Sequence, residues 1–243
     1  MQQNNSSWQE RTLLLLGEEK VEKLSNAHIL IVGLGGVGAY AAEMLCRAGV
    51  GRLTIADADI INPSNKNRQL LALTSTMGKA KADLMSQRLL DINPDVQLTS
   101  IHAYLQEEDF ERILNNNKFD YVVDAIDTLA PKVNLIKLCM QKNIPLVSSM
   151  GAGAKLDPTK VEIRDISKSH HCPLAHMLRK RLHRIGIRKG FKVVFSSEGP
   201  IMDAVQLCDN EPNKKSIVGT ISYLPAIFGC YCASVVINEL TEN

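Results

Sequence analysis

A chain of 243 residues makes one large domain or two small ones, and at that size a single fold buries roughly 70–75% of its unfolded surface without a disulfide or metal staple. Its 45% apolar, 22% charged and 5% aromatic residues exclude a disordered segment and a disulfide-built miniprotein. With 28 basic against 26 acidic residues the net charge is +2, which taken whole argues against a polyanionic partner.

Residues 1–10 are polar and lack the apolar run of a secretion signal. The Leu-rich stretch 11–23 reads as a short helix. A β-branched run at 28–32 ends in glycines, and 36–48 then carries small and apolar residues at helical spacing: strand, glycine turn, helix. Residues 52–56 form the next strand, followed by Asp57, Asp59 and an Asn/Pro/Ser-rich loop at 62–69; 78–92 is helical and closes at Asn93-Pro94. Strands follow at 96–101, 119–124 and 144–148, with a helix over 130–141. This alternation predicts an α/β fold, a Rossmann-like, doubly wound, mainly parallel sheet with helices on both faces. Ligands of such sheets bind beyond the carboxyl ends of the strands, where the glycines and acidic residues fall.

Beyond about residue 158 come short strands (161–166 and 192–196), a basic helix and an apolar C-terminal helix, with no linker to mark a second domain. The expected organisation is one domain over 1–243: a nucleotide-binding part at about 11–153, a basic elaboration at about 154–220 and a packing helix at about 221–240. The segment 221–237 has no charge, but Pro225, Gly229 and two serines interrupt it. It is also short for a span of about 20 residues, so a buried helix is expected and no membrane span. Six cysteines (Cys46, Cys139, Cys172, Cys208, Cys230, Cys232) contain no C-x-x-C pair, which fits a reduced cytoplasm.

Gly33, Gly35, Gly36 and Gly38 lie between a strand and a helix, the context in which backbone N–H groups approach a phosphate at a helix N-terminus. A dinucleotide enzyme would place an acid about 20 residues on, and Asp57 and Asp59 lie 24 and 26 residues after Gly33. Arg68 and Lys81, however, add more positive charge than two diester phosphates require and match a triphosphate with a leaving pyrophosphate. Asp127 can hold Mg²⁺ on those phosphates. Each has a plainer reading alone: Lys81 on a solvated face, Arg68 in a loop salt bridge, Asp127 capping a helix.

In series, the G-x-G-G-x-G turn, Asp57-x-Asp59, Asn65-x-Asn67-Arg68-Gln69, Gly78-x-x-Lys81 and Asp124-Ala125-Ile126-Asp127 resemble the adenylating family of ubiquitin-activating-enzyme-like proteins, which includes the sulfur-carrier activators. The resemblance implies ATP as substrate, with Asp59, Asn65, Arg68 and Lys81 lining its site and Asp127 on metal or phosphate. It further implies a homodimer in which Arg11 reaches the neighbouring subunit's site, and a carboxylate activated as its acyl adenylate, so that Arg68, Lys81, Asp127 and Arg11 are the candidate catalytic residues. A monovalent cation and an association with a cysteine desulfurase system also belong to that expectation.

Two departures narrow it. The sulfur-carrier activators hold zinc on paired C-x-x-C motifs; none occurs here, so no structural zinc is expected, and Cys230-x-Cys232, Cys46 and Cys139 read as core, with Cys172 and Cys208 in loops. Between Asp165 and Glu198 lie 32 residues without an acid. They carry Lys168, Arg179, Lys180, Arg181, Arg184, Arg188, Lys189 and Lys192, a charge of +8, against 20 basic and 26 acidic residues, or −6, elsewhere. A solvated helix face normally mixes signs, whereas a one-sign block beside an ATP site matches a nucleic-acid backbone.

The runs Met150-Gly151-Ala152-Gly153-Ala154, Asp157-Pro158, Asp165-Ile166-Ser167-Lys168, Pro173-Leu174-Ala175 and Val194-Phe195-Ser196-Ser197-Glu198 are similar to the tRNA-modifying branch of that family. The implied substrate is tRNA with threonylcarbamoyladenosine at position 37, whose threonine carboxylate is adenylated and then attacked by the carbamoyl group to close a ring. Alternatives are adenylation of a sulfur carrier's C-terminal glycine, a non-catalytic nucleotide-dependent RNA-binding module and an NAD enzyme.

Overall fold

A computed structural model describes residues 8–211 and 214–242, with backbone alone over 207–211 and 214–216. In chain order the elements are α1 (Glu10–Leu16), α2 (Glu18–Asn26), β1 (His28–Val32), α3 (Gly38–Arg47), β2 (Arg52–Ala56), α4 (Lys81–Ile92), β3 (Gln97–Ile101), α5 (Glu107–Asn116), β4 (Tyr121–Asp124) and α6 (Leu129–Gln141). There follow β5 (Leu146–Ser149), β6 (Val161–Asp165), α7 (Pro173–Arg184), β7 (Lys192–Ser196), β8 (Val205–Glu211), β9 (Lys214–Val218) and α8 (Tyr223–Thr241).

Seven strands form one sheet in the order β3-β2-β1-β4-β5-β7-β6, parallel except for the edge pair β6–β7, while β8 and β9 make a separate hairpin. Alternate strand residues point to opposite faces, so each strand feeds two cores. Ile29, Ile31, Leu53, Ile55, Val123 and Val194 pack with α3, α4 and α8 on one side, and Leu30, Val32, Val122, Val193 and Phe195 with α5, α6 and α7 on the other. Burial on both faces explains why these strands read as continuous apolar runs.

Three elements differ from the expectation. The predicted helix over 11–23 is two helices, because Gly17 adopts φ +81° between them, a conformation that ends a helical ladder. Helix α5 is not among the expected elements: its Phe110, Ile113 and Leu114 are the only apolar residues in a polar decapeptide, yet all three are buried. The β8–β9 hairpin carries no alternating pattern strong enough to mark it. Helix α8 is long and apolar enough to cross a membrane by length and composition, and it buries Leu224, Phe228, Cys232, Ala233, Val235 and Val236 in the first core.

Candidate nucleotide site and basic surface

The carboxyl ends of β1, β2 and β4 converge on the glycine turn. A Cβ on Gly38 would sit 1.7 Å from the Gly33 carbonyl oxygen, and one on Gly33 2.7 Å from that of Ala125, so this turn closes only with glycine at both places. Asp57, at the end of β2, holds it: one carboxylate oxygen accepts from the Leu34 N–H at 2.5 Å and the other from the Asp59 N–H at 2.7 Å. Burial raises the Asp57 carboxyl above its ordinary range, against the opposing pull of Lys81 and those two N–H donors. Asp57 is thus committed to the shape of the cradle at the start of α3, and Asp59 remains exposed.

Lys81 is 3% exposed. An antiparallel bridge between Ile60 and Ala80, with the Ile61 N–H donating to the Lys79 carbonyl at 2.9 Å, brings the start of α4 beneath the β2 loop. The Lys81 Nζ then reaches Asp59 Oδ2 at 2.7 Å, which rules out a solvated face for this lysine. Asn65 is buried and accepts the Asn62 N–H at 3.0 Å, shaping the loop. Arg68 donates to the Ser64 carbonyl at 2.9 Å and to Asn67 Oδ1 at 2.8 Å, and its stem lies against Gly36. Beside it, Gln69 Oε1 is the one buried side-chain oxygen or nitrogen without a partner among the described residues, and its amide nitrogen faces Gly35.

A buried pair that residue patterns did not disclose lies under the third acidic position. Asp124 and Lys132 are both 0% exposed and 2.9 Å apart. Ser148 donates to the same carboxylate at 2.6 Å, the Ile126 N–H to its other oxygen at 3.1 Å, and Lys132 also donates to the Ile126 carbonyl at 2.9 Å. An acid ending an apolar strand was visible in sequence; a lysine inside α6 looked like any helical surface cation. The pair fixes the loop that carries the exposed Asp127, and Thr128, not Asp127, is the N-cap of α6. Among the described residues no group of three or more His, Cys, Asp or Glu is placed to hold a metal ion. Arg11 is exposed on α1, where Leu14 and Leu15 are more than four-fifths exposed.

Burial keeps most thiols protonated, pushing Cys46 up to about 11 and Cys139 and Cys232 to about 12. Cys172 is buried and caps α7, accepting the Ala175 N–H at 3.5 Å. Cys230, expected in the core, is exposed on the outer side of α8, while the side chain of Cys208 lies outside the described residues.

The basic block is redistributed by the fold. Helix α7 buries Ala175, Leu178 and Leu182, with Leu174 only half-buried. Lys168, Lys180, Arg181, Arg184, Arg188 and Lys189 are exposed. Arg179 instead turns back onto the Ser169 carbonyl at 2.8 Å, and Lys192 pairs with Glu239 of α8 at 2.7 Å. The start of α7 lies at the carboxyl edge of the sheet, where Cys172 Sγ approaches Gly151 to 3.6 Å of its would-be Cβ. Lys168 and Arg184 to Lys189 lie at the opposite edge: Asp165, just before Lys168, pairs with the first residue of β7, and Gly190 meets Met140 at the end of α6. The 12 residues of α7 separate the two edges by about 18 Å. The block is therefore a strip leading away from the nucleotide cradle rather than a patch beside it.

The ThiF family model matches residues 9–243. The chain is 40% identical over 240 residues to a Bacillus subtilis protein called tRNA threonylcarbamoyladenosine dehydratase, covering 96% of this chain and 94% of the relative. An Escherichia coli protein of the same name is 38% identical over 200 residues, covering 81% and 72%. A crystal structure of the E. coli tRNA N6-threonylcarbamoyladenosine dehydratase in complex with ATP superimposes with a TM-score of 0.87 at 33% identity, over 98% of this chain and 96% of that one.

Proposed function

The chain belongs to the ThiF family, and from that premise we propose that it is an ATP-dependent tRNA threonylcarbamoyladenosine dehydratase, acting as a single adenylating domain of the cytoplasm. The observation that carries this reading is the cradle closed by Gly33 and Gly38 with Lys81 and Arg68 at its rim, in a chain similar over nearly its whole length to dehydratases of that name.

Backbone N–H groups at the start of α3 receive the ATP phosphates, favoured by the partial positive charge of a helix N-terminus, and Asp57 keeps the turn in shape. Arg68 and Lys81 neutralise the triphosphate, and the uncharged Asn65 amide can only hydrogen-bond to it; Lys81 rests on Asp59 at 2.7 Å and turns to phosphate when it arrives. One or two carboxylates plus phosphate oxygens are the donor set Mg²⁺ takes, so the exposed Asp127 fits as its protein ligand, and the ion would supply further charge neutralisation. The threonine carboxylate attacks the α-phosphorus and pyrophosphate departs. The carbamoyl group then attacks the acyl carbon and loses a proton, AMP leaves with the bonding pair, and the side chain has lost the elements of water. This chemistry is positioning and charge stabilisation and uses no protein thiol.

The tRNA backbone follows the exposed cations of the α7 strip. We also read α1 as a dimer surface, supported by its exposed Leu14 and Leu15, with Arg11 delivered into the partner subunit's site. A sulfur-relay partner would need an accessible thiol, and Cys230 is the exposed one among the described cysteines.

The test is incubation of the protein with ATP and tRNA bearing threonylcarbamoyladenosine. The expected result is tRNA-dependent release of AMP and pyrophosphate with a nucleoside lighter by one water. AMP formation that requires a small protein ending in Gly-Gly, with no change in the tRNA, refutes it in favour of sulfur-carrier adenylation.

A further inference from the structure

Lys155 is 2% exposed, lies outside every motif described above, and has the full set of three acceptors an ammonium can use. Its Nζ donates to the carbonyls of Glu198 at 2.5 Å, Ser196 at 2.8 Å and His171 at 3.2 Å. Burial lowers its pKa, against the pull of Cys172 and Glu198. The three carbonyls come from two separate segments: Ser196 ends β7 and Glu198 follows it, while His171 immediately precedes Cys172, the cap of α7. Lys155 itself belongs to a third segment, the loop leaving β5. Two residues in this knot hold left-handed backbones, Ala154 at φ +57° and His171 at φ +50°, conformations that persist when the surroundings over-determine them. Glu198 reinforces it, its carboxylate accepting the Leu156 and Asp157 N–H groups at 2.9 Å each.

The knot stands between the nucleotide cradle and the basic helix. On the cradle side, Pro225 at the start of α8 lies against Gly36, and Tyr223 donates to the Leu156 carbonyl at 2.7 Å. A second route runs from the Arg68 loop through Asn67, which donates to the Thr220 carbonyl at 2.8 Å, to Gly219, whose carbonyl accepts the Ala154 N–H at 2.7 Å. On the other side, His171 leads straight into α7. We propose that Lys155 is a positioning residue: its ammonium registers α7, and the RNA on it, against the ATP cradle, playing the part that a bound monovalent cation plays among carbonyl oxygens. This rests on the proposed tRNA reaction. It assigns to Lys155 the alignment of two bound substrates, a matter in which a displacement of about 1 Å can cost on the order of 100-fold in rate.

The experiment compares wild type with Lys155→Ala and Lys155→Arg, measuring kcat with modified tRNA, KM for that tRNA and the ATP dissociation constant. Each is measured in tetramethylammonium chloride and in ammonium chloride at equal ionic strength. Lys155→Ala is expected to lower kcat about 100-fold with ATP and tRNA affinities essentially unchanged; ammonium, but not tetramethylammonium, restores a large part of kcat, and Lys155→Arg retains more activity than Ala. Unchanged kcat in Lys155→Ala overturns the proposal. So does a parallel loss of kcat and both affinities without ammonium rescue, the signature of a merely structural role. Should Lys155→Ala not fold, Lys155→Met, which keeps the stem and removes only the charge, reads the same quantities; failure of both to fold also overturns it, because the ammonium then determines the fold. A wild type that releases no AMP with tRNA refutes the reaction itself, an outcome separate from a silent Lys155.

Discussion

Lys81 shows how one side chain's surroundings divide its structural from its chemical worth. Its stem is buried and its ammonium leans on a carboxylate, Asp59, whose side chain is 63% exposed. Water can solvate that carboxylate when the lysine is gone, so the pair contributes little to stability. Lys81→Met, which keeps the packed stem, is expected to leave the melting temperature almost unmoved while AMP release falls on the order of 100- to 1,000-fold through loss of phosphate charge stabilisation; thermal melts and a coupled pyrophosphate assay check the two halves. The fully buried Asp124–Lys132 pair is the converse. There, among the described residues, the desolvated charges are held by each other, Ser148 and backbone groups, and removal of one partner leaves an uncompensated charge in the interior.

Between elements, α3 and α8 meet closely enough to make small residues obligatory. A Cβ on Gly229 would stand 2.4 Å from the Val37 carbonyl oxygen and 2.8 Å from Tyr40 Cβ. Gly229→Ala is therefore expected to push α8 from α3 and destabilise the protein by about 1–3 kcal/mol, measured by urea unfolding, and to disturb the adjoining glycine turn. Glu43 joins α3 to α4 through Arg88 Nε at 2.5 Å and back to Arg47 Nε at 2.8 Å. Burial alone would raise its carboxyl, but the hydrogen bonds and charges of the two arginines prevail and hold it below its ordinary 4.5. A depressed folded-state pKa contributes stability that is present above the unfolded value and lost as pH falls through the folded one. Glu43→Gln should accordingly lower the melting temperature by about 2 °C at neutral pH, and the gap from wild type should close as pH drops from 4.5 through the depressed range. A gap that persists in acid would show that the arginines act through packing rather than charge.

Across the whole molecule, the glycine cradle lies at the carboxyl edge of the sheet, and Lys168, Arg184, Arg188 and Lys189 of the proposed RNA strip lie at the opposite edge. Arg184, Arg188 and Lys189 lie at the end of α7 remote from the cradle, so their replacement by glutamine should weaken tRNA binding without touching ATP affinity. The dependence of log affinity on log salt should flatten by about 2–3, each phosphate contact being worth about 0.7–0.9; titrations at several salt concentrations decide it, and an unchanged slope would take these residues off the RNA path. Much of this protein was legible in one dimension. Periodicity and glycine context disclosed the seven strands of the main sheet, most helices and the glycine turn, because those signals arise from local geometry and from burial on both sheet faces. The ordered motifs from Asp57 to Asp127 carried the family likeness, because phosphate binding calls for particular groups near a helix N-terminus. Tertiary structure alone decided that Asp57 shapes the turn while Lys81 meets Asp59, that Lys132 and Lys155 are buried, that Arg179 turns back onto Ser169 and the exposed Lys192 pairs with Glu239, and that the +8 block runs away from the cradle. A lysine's role depends on which carboxylates and carbonyls the folded chain brings to its ammonium, and those acceptors come from residues up to 47 positions away, as in Lys192–Glu239, beyond the reach of any local pattern.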